Sequence, residues 1–124
     1  MGKALVVDDS RAVRTILSRM LIDLGYQVHQ AGDGYRALEI LDGEHSDIEL
    51  ALVDWNMPVM NGMELLQRLR ADRRHASLVV VMVTTETEAQ HMTAAIEAGA
   101  NEYVMKPFTR EILLDKLQLA RMSF

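Results

Sequence analysis

The sequence predicts a doubly wound α/β domain built on a parallel sheet. Short apolar runs alternate with amphipathic stretches from one end to the other, a β-α pattern repeated five times. Several of the runs are continuously apolar, as strands covered on both faces are. No linker, repeat or low-complexity tract interrupts them. A chain of 124 residues fits one domain, 1–124, and 49% apolar with 25% charged residues gives a core without a signature of disorder.

Each element has its own signal. Ala4-Leu5-Val6-Val7 is a buried strand stopped by Asp8-Asp9. Ser10 is placed to cap the next helix, whose apolar positions Val13, Ile16, Leu17, Met20, Leu21 and Leu24 follow helical spacing until Gly25 ends it. Tyr26, Val28 and Gln30 read as a more polar strand at a sheet edge. Ala37, Leu38 and Leu41 mark a short second helix, and Leu50 to Val53 a second buried strand ending on Asp54. Asn61-Gly62 breaks the chain before a helix carrying Leu65, Leu66 and Leu69. Leu78 to Val83 is the strongest strand and ends at Thr84-Thr85. Thr87 with Gln90 forms a capping box for a helix with Met92, Ala95 and Ile96 inward, stopped by Gly99. Tyr103-Val104-Met105 is the last strand; Thr109 caps the last helix, with Leu113, Leu117 and Ala120 inward.

The first, third and fourth strands are the buried ones, so the second and fifth belong at the edges. A 2-1-3-4-5 order satisfies this and is the flavodoxin-like order. Composition excludes several functions. A net charge of −5 argues against nucleic acid as a direct partner. The absence of cysteine removes disulfides, thiolate nucleophiles and zinc-thiolate sites. No apolar run approaches the ~18 residues of a membrane helix, and Ala4 to Val7 is too short for a signal sequence. The expected location is the cytoplasm, with no membrane partner.

Ligands of such sheets bind at the carboxyl ends of the strands. Those ends carry Asp8-Asp9, Asp54, Thr84-Thr85 and Lys106. Singly, each has a bland reading as a helix cap, a turn former or a solvated lysine. Jointly, three acids crowded on one rim repel unless a cation compensates them. An all-oxygen set suits a hard divalent ion, Mg2+ before Ca2+ or zinc, and Mg2+ held by few carboxylates usually serves a phosphate. Lys106 adds a second positive charge for that anion, and a threonine hydroxyl can donate to it. With no cysteine and no Ser-His-Asp set, the nucleophile is a carboxylate, which can form an aspartyl-phosphate.

Val6-Val7-Asp8-Asp9-Ser10, Asp54-Trp55-Asn56-Met57-Pro58 with Asn61-Gly62, Val83-Thr84, and Tyr103 to Phe108 together resemble the receiver domain of bacterial two-component response regulators. The stretches Asp54 to Pro58 and Lys106 to Thr109 are similar to its CheY-type single-domain chemotaxis regulators. The resemblance implies a phosphorylation-dependent signalling switch rather than an enzyme turning over an external substrate. Asp54 matches the phosphoacceptor. Asp9 matches the direct Mg2+ ligand, Asp8 the acid acting mostly through water, and Asn56 the residue whose backbone carbonyl coordinates the ion. Thr84 matches the switch hydroxyl (the residues alone do not choose it over Thr85), Lys106 the lysine that pairs with the phosphoryl oxygens, and Tyr103 the aromatic that turns inward on activation. Asn56 and Glu86 match the two positions that tune dephosphorylation. A cis Lys106-Pro107 bond is implied as well. Many relatives have Asp where Asn61 stands. The implied partners are a sensor histidine kinase and a target protein bound on the face made by the fourth helix, fifth strand and fifth helix, with the protein a monomer. A receiver excised from a longer regulator is the alternative within this class.

Other signals lead elsewhere or nowhere. Gly32-Asp33-Gly34-Tyr35-Arg36-Ala37 matches a dinucleotide fingerprint, but it follows an edge strand and reads as a turn and helix start. The four histidines His29, His45, His75 and His91 lack ligand spacing and read as surface residues. Met20, Met63, Met82 and Met92 fall on core spacings, whereas Met57, Met60, Met105 and Met122 have no evident place. Arg68 to Arg74 reads as a solvated basic helix end. A small-molecule aspartyl-phosphate phosphatase is the competing enzymatic reading, but Asn56 stands where its general acid belongs. A flavin carrier lacks its hydroxyl-rich phosphate loop.

Overall fold

The computed structural model describes residues 2–43, 47–85 and 91–121. Its elements run β1 (Lys3–Val7), α1 (Arg11–Asp23), β2 (Gln27–Ala31), α2 (Gly34–Asp42), β3 (Ile48–Asp54), α3 (Gly62–Arg70), β4 (Val79–Thr84), α4 (Met92–Glu97), β5 (Glu102–Met105) and α5 (Arg110–Arg121), with a 3-10 turn at Arg73–His75. The five strands are parallel and ordered β2-β1-β3-β4-β5. This is the predicted doubly wound, flavodoxin-like topology, with β2 and β5 at the edges. Among the described residues no helix is long and apolar enough to cross a membrane.

Alternation along the strands divides the core in two. Leu5, Val7, Ala51, Val53, Val80 and Met82 face α2, α3 and α4, while Ala4, Val6, Leu50, Leu52, Val81 and Val83 face α1 and α5. The central strands are sealed on both sides, which is why they read as unbroken apolar runs. Helix ends follow local chemistry. The Ser10 hydroxyl accepts from Val13 N at 3.2 Å, Asp33 Oδ1 from Arg36 N at 2.8 Å, and Thr109 Oγ1 from Ile112 N at 3.2 Å. Asn61 and Glu64 close a reciprocal capping box at the start of α3. Gly25 and Gly99 take φ values of 102° and 112° after α1 and α4, in the region that favours glycine. The capping box expected at Thr87 and Gln90 lies outside the described residues.

Several expectations are corrected. Ile16 is 56% exposed and Ile96 44% exposed, so each lies at the margin of its helix's apolar stripe rather than in the core. His75 is buried, its Nε2 2.9 Å from Asp42 Oδ1. Arg70 does not extend into solvent: its guanidinium donates to the carbonyls of Gly99, His75 and Leu78 and to Asn101 Oδ1 at 2.7–2.9 Å. Met57 and Met60 are core residues. Gly34 matters by packing: a Cβ there would meet Met60 Sδ at 2.5 Å, so α2 lies against the loop after β3.

Candidate functional site

Strand register brings distant residues to one level. Val7 pairs with Val53, so Asp8 stands beside Asp54; Asp54 pairs with Val83, one residue before Thr84; and Thr84 pairs with Met105, one before Lys106. The rim predicted from sequence therefore forms. Carboxylate oxygens of Asp8, Asp9 and Asp54 lie within 4.8 Å of one another. Asp8, Asp54 and Thr84 are buried and Asp9 is exposed, so the cluster opens to solvent on the Asp9 side.

The surrounding backbone holds these groups. Asp8 Oδ1 accepts from Ser10 N at 2.8 Å, its carbonyl from Arg14 Nη1 at 2.7 Å, and its own N–H donates to Ala31 O at 3.2 Å. Trp55 N donates to Val83 O at 3.0 Å, and Gly62 N donates to Trp55 O at 2.9 Å, which ties the loop after Asp54 to β4 and to the start of α3. Glycine is required at 62, since a Cβ would sit 2.5 Å from the Asp54 carbonyl oxygen. Lys106 N donates to Thr84 O at 2.7 Å, and the Lys106-Pro107 bond is cis. The lysine's Nζ is 3.2 Å from Asp8 Oδ2 and 3.5 Å from Asp54 Oδ1. Thr84 Oγ1 donates to Thr85 O at 3.3 Å.

One ammonium among three carboxylates leaves negative charge in excess. Burial first, and then the neighbouring Asp8 carboxylate, push the Asp54 carboxyl up from 3.8 to about 6; Lys106 and the Asn56 N–H pull the other way and lose. A divalent cation held among these oxygens would offset the excess negative charge. The donor set, hard and all oxygen, fits Mg2+ or Ca2+ and lacks the nitrogen or sulfur that zinc prefers.

The other predicted residues fall around this centre. Asn56 is exposed on the loop after Asp54, with its backbone N–H turned to that carboxylate. Trp55 stacks on His91 at the head of α4, ring centroids 5.0 Å apart. Tyr103 is half-buried on the edge strand, with Lys116 Nζ 4.2 Å from its ring centroid. Glu86 lies outside the described residues. Sequence reasoning missed Arg14, Lys116 and Glu102 as supporting groups. Nothing but their position opposite the strand ends or the edge strand distinguishes them from solvated charges.

Comparison with known proteins agrees with this geometry. The model of the response regulator receiver domain matches residues 4–118. The chain is 42% identical to the chemotaxis protein CheY1 of Helicobacter pylori over 118 residues, 94% of each chain. It is also 42% identical to the chemotaxis protein CheY of Pseudomonas aeruginosa over 117 residues, 94% of this chain and 93% of that one. The structure of the chemotaxis response regulator CheY4 of Vibrio cholerae superposes with a TM-score of 0.86 at 36% identity, covering 97% of this chain and 98% of that one. With its five-stranded topology, its rim of acids and lysine, and these matches over nearly its whole length, the chain belongs to the family of response regulator receiver domains.

Proposed function

We propose that the protein is a phosphorylation-dependent switch of the chemotaxis type that accepts a phosphoryl group on Asp54. The convergence of Asp8, Asp9, Asp54 and Lys106 at the strand ends is the observation that supports it most. Asp8, Asp9, Asp54 and the Asn56 carbonyl would hold Mg2+, which when bound offsets carboxylate repulsion and the charge of the incoming phosphoryl group. An Asp54 oxygen attacks phosphorus, the bond from phosphorus to the donor's imidazole nitrogen breaks, and the imidazole leaves with the electron pair. Lys106, already between Asp8 and Asp54, neutralises the new phosphoryl oxygens. The Thr84 hydroxyl donates to one of them, which draws the β4 end inward. Tyr103 fills the vacated space, and the face of α4, β5 and α5 changes shape for a target protein. Ile96, Met105 and Ile112 already stand exposed there. The kinase and the target are protein partners, and the switch acts as a monomer. Asn56 and Glu86 set the lifetime of the phosphoryl group.

The test is incubation with acetyl phosphate and Mg2+. One hydroxylamine-labile phosphoryl group on Asp54, absent in Asp54→Ala, is the expected result. Label on a histidine contradicts the assignment.

A further inference from the structure

Tyr103 stands at the sheet edge in a setting its role as a switch does not by itself explain. It belongs to the α4 side of β5, where it packs in part against that half of the core. Yet its ring meets a lysine from α5, the helix on the opposite face: Lys116 Nζ lies 4.2 Å from the ring centroid. The ring therefore leans out across the edge strand, and it lines both a hollow beside Lys106, Ile112 and Lys116 and a second one beside Met92 and Ile96. Glu102 braces both partners. Its Oε1 accepts from Tyr103 N at 3.0 Å and pairs with Lys116 Nζ at 3.6 Å. The side chains of Lys116 and Glu102 are only 25% and 18% exposed, so water screens this contact less than it would a surface pair.

We propose that Lys116, positioned by Glu102, is an electrostatic latch that holds the Tyr103 ring outward and so sets how readily the switch turns. This rests on the reading of Tyr103 as the residue that turns inward. An ammonium held over the outward ring favours that rotamer, and the inward move forfeits the contact. Lys116 is a positioning residue: it touches neither the phosphoryl group nor the metal. Because activation and the ring position are coupled, whatever weakens the latch strengthens activation by up to the same factor.

The experiment follows the ring resonances of labelled Tyr103 with and without beryllofluoride and Mg2+, in the wild-type protein and three variants. Lys116→Gln is expected to raise the inward population of the unactivated protein about five-fold, the size of a partly covered cation–π contact. It should also tighten beryllofluoride binding by up to that factor, which a merely structural role would not do. Lys116→Arg retains the cation and should behave as wild type, while Glu102→Gln should shift the ring in the same direction by less. If beryllofluoride turns the wild-type ring inward but Lys116→Gln changes neither population nor affinity, the latch is overturned and the switch stands. The latch is equally overturned if Lys116→Arg shifts the ring as far as Lys116→Gln. If beryllofluoride leaves the wild-type ring outward, the switch reading of Tyr103 falls, and the latch with it.

Discussion

The two ends of the sheet treat clustered charge in different ways. At the carboxyl ends of the strands Asp8, Asp9 and Asp54 share a single ammonium, and the Asp54 carboxyl is pushed up to about 6. At the other end, beneath α2 and α3, Asp42, Asp72 and His75 also gather into one cluster. There Arg74 Nη2 lies 2.7 Å from Asp72 Oδ2 and 3.3 Å from Asp42 Oδ1, and Asp72 is pulled down to about 2. Nearby, the Arg70 guanidinium is shared among three carbonyls and the Asn101 side chain, bridging α3, the end of α4 and the starts of β4 and β5. Both clusters offer a metal-like set of donors. The first has one ammonium for three carboxylates and the second a guanidinium and a histidine for two, so the first is left shorter of positive charge, and it is the first that carries the proposed chemistry. A ring of acids marks a site when its charge is left unbalanced, not when it is merely acidic.

Removing the balanced end's hub should have the largest effect. Arg70→Ala leaves carbonyl acceptors without donors and is expected to cost about 3 kcal/mol in urea unfolding, with acetyl phosphate labelling of the remaining folded protein intact. Asp54→Asn should do the reverse. It removes one buried negative charge from the cluster and raises stability at pH 7 by about 2 kcal/mol while abolishing labelling. The sign follows from proton binding. Between about 4 and 6 the folded carboxyl holds a proton that the unfolded one has lost, so stability falls as pH rises through this window. Asp54→Asn should flatten that slope, and a gain in stability equal at pH 4 and pH 7 would contradict it.

Two smaller effects sharpen the contrast. Val59, 84% exposed on the loop after Asp54, has a φ of 69°, and Met60 N closes a tight turn onto Pro58 O at 2.8 Å. A branched side chain is strained there, so Val59→Gly should stabilise by about 1 kcal/mol in the same assay. Asp72→Asn should lower the melting temperature least, because its partner Arg74 is exposed to water. That small loss should vanish as pH falls toward 2, where the native carboxylate is itself protonated.

The acidic rim was legible in the sequence for a structural reason. A parallel sheet aligns its strand ends, so an acid, a hydroxyl or a lysine just after an apolar run has nowhere else to go. Asp8, Asp54, Thr84 and Lys106 each follow that rule. The balanced end has no such rule. Arg70 and Arg74 look alike within one basic stretch, and only the tertiary placement of Gly99, Leu78 and Asn101 sends one guanidinium inward. His75 is similarly silent, since its partner Asp42 is 33 positions away. Helical spacing placed the apolar stripes but not their margins, which is where Ile16 and Ile96 lie. Met57 and Met60 sit in a loop, where no period announces burial.

The charge imbalance at Asp54 is most directly tested by titrating its side-chain carboxyl carbon by NMR, with and without Mg2+. A midpoint near 6 in the metal-free protein is expected, moving well down when Mg2+ is present and part of the way down when Asp8 is replaced by asparagine, since burial is the larger cause. A midpoint at the ordinary 3.8 without the ion, unmoved by Mg2+, would show that the three carboxylates do not form one unbalanced site.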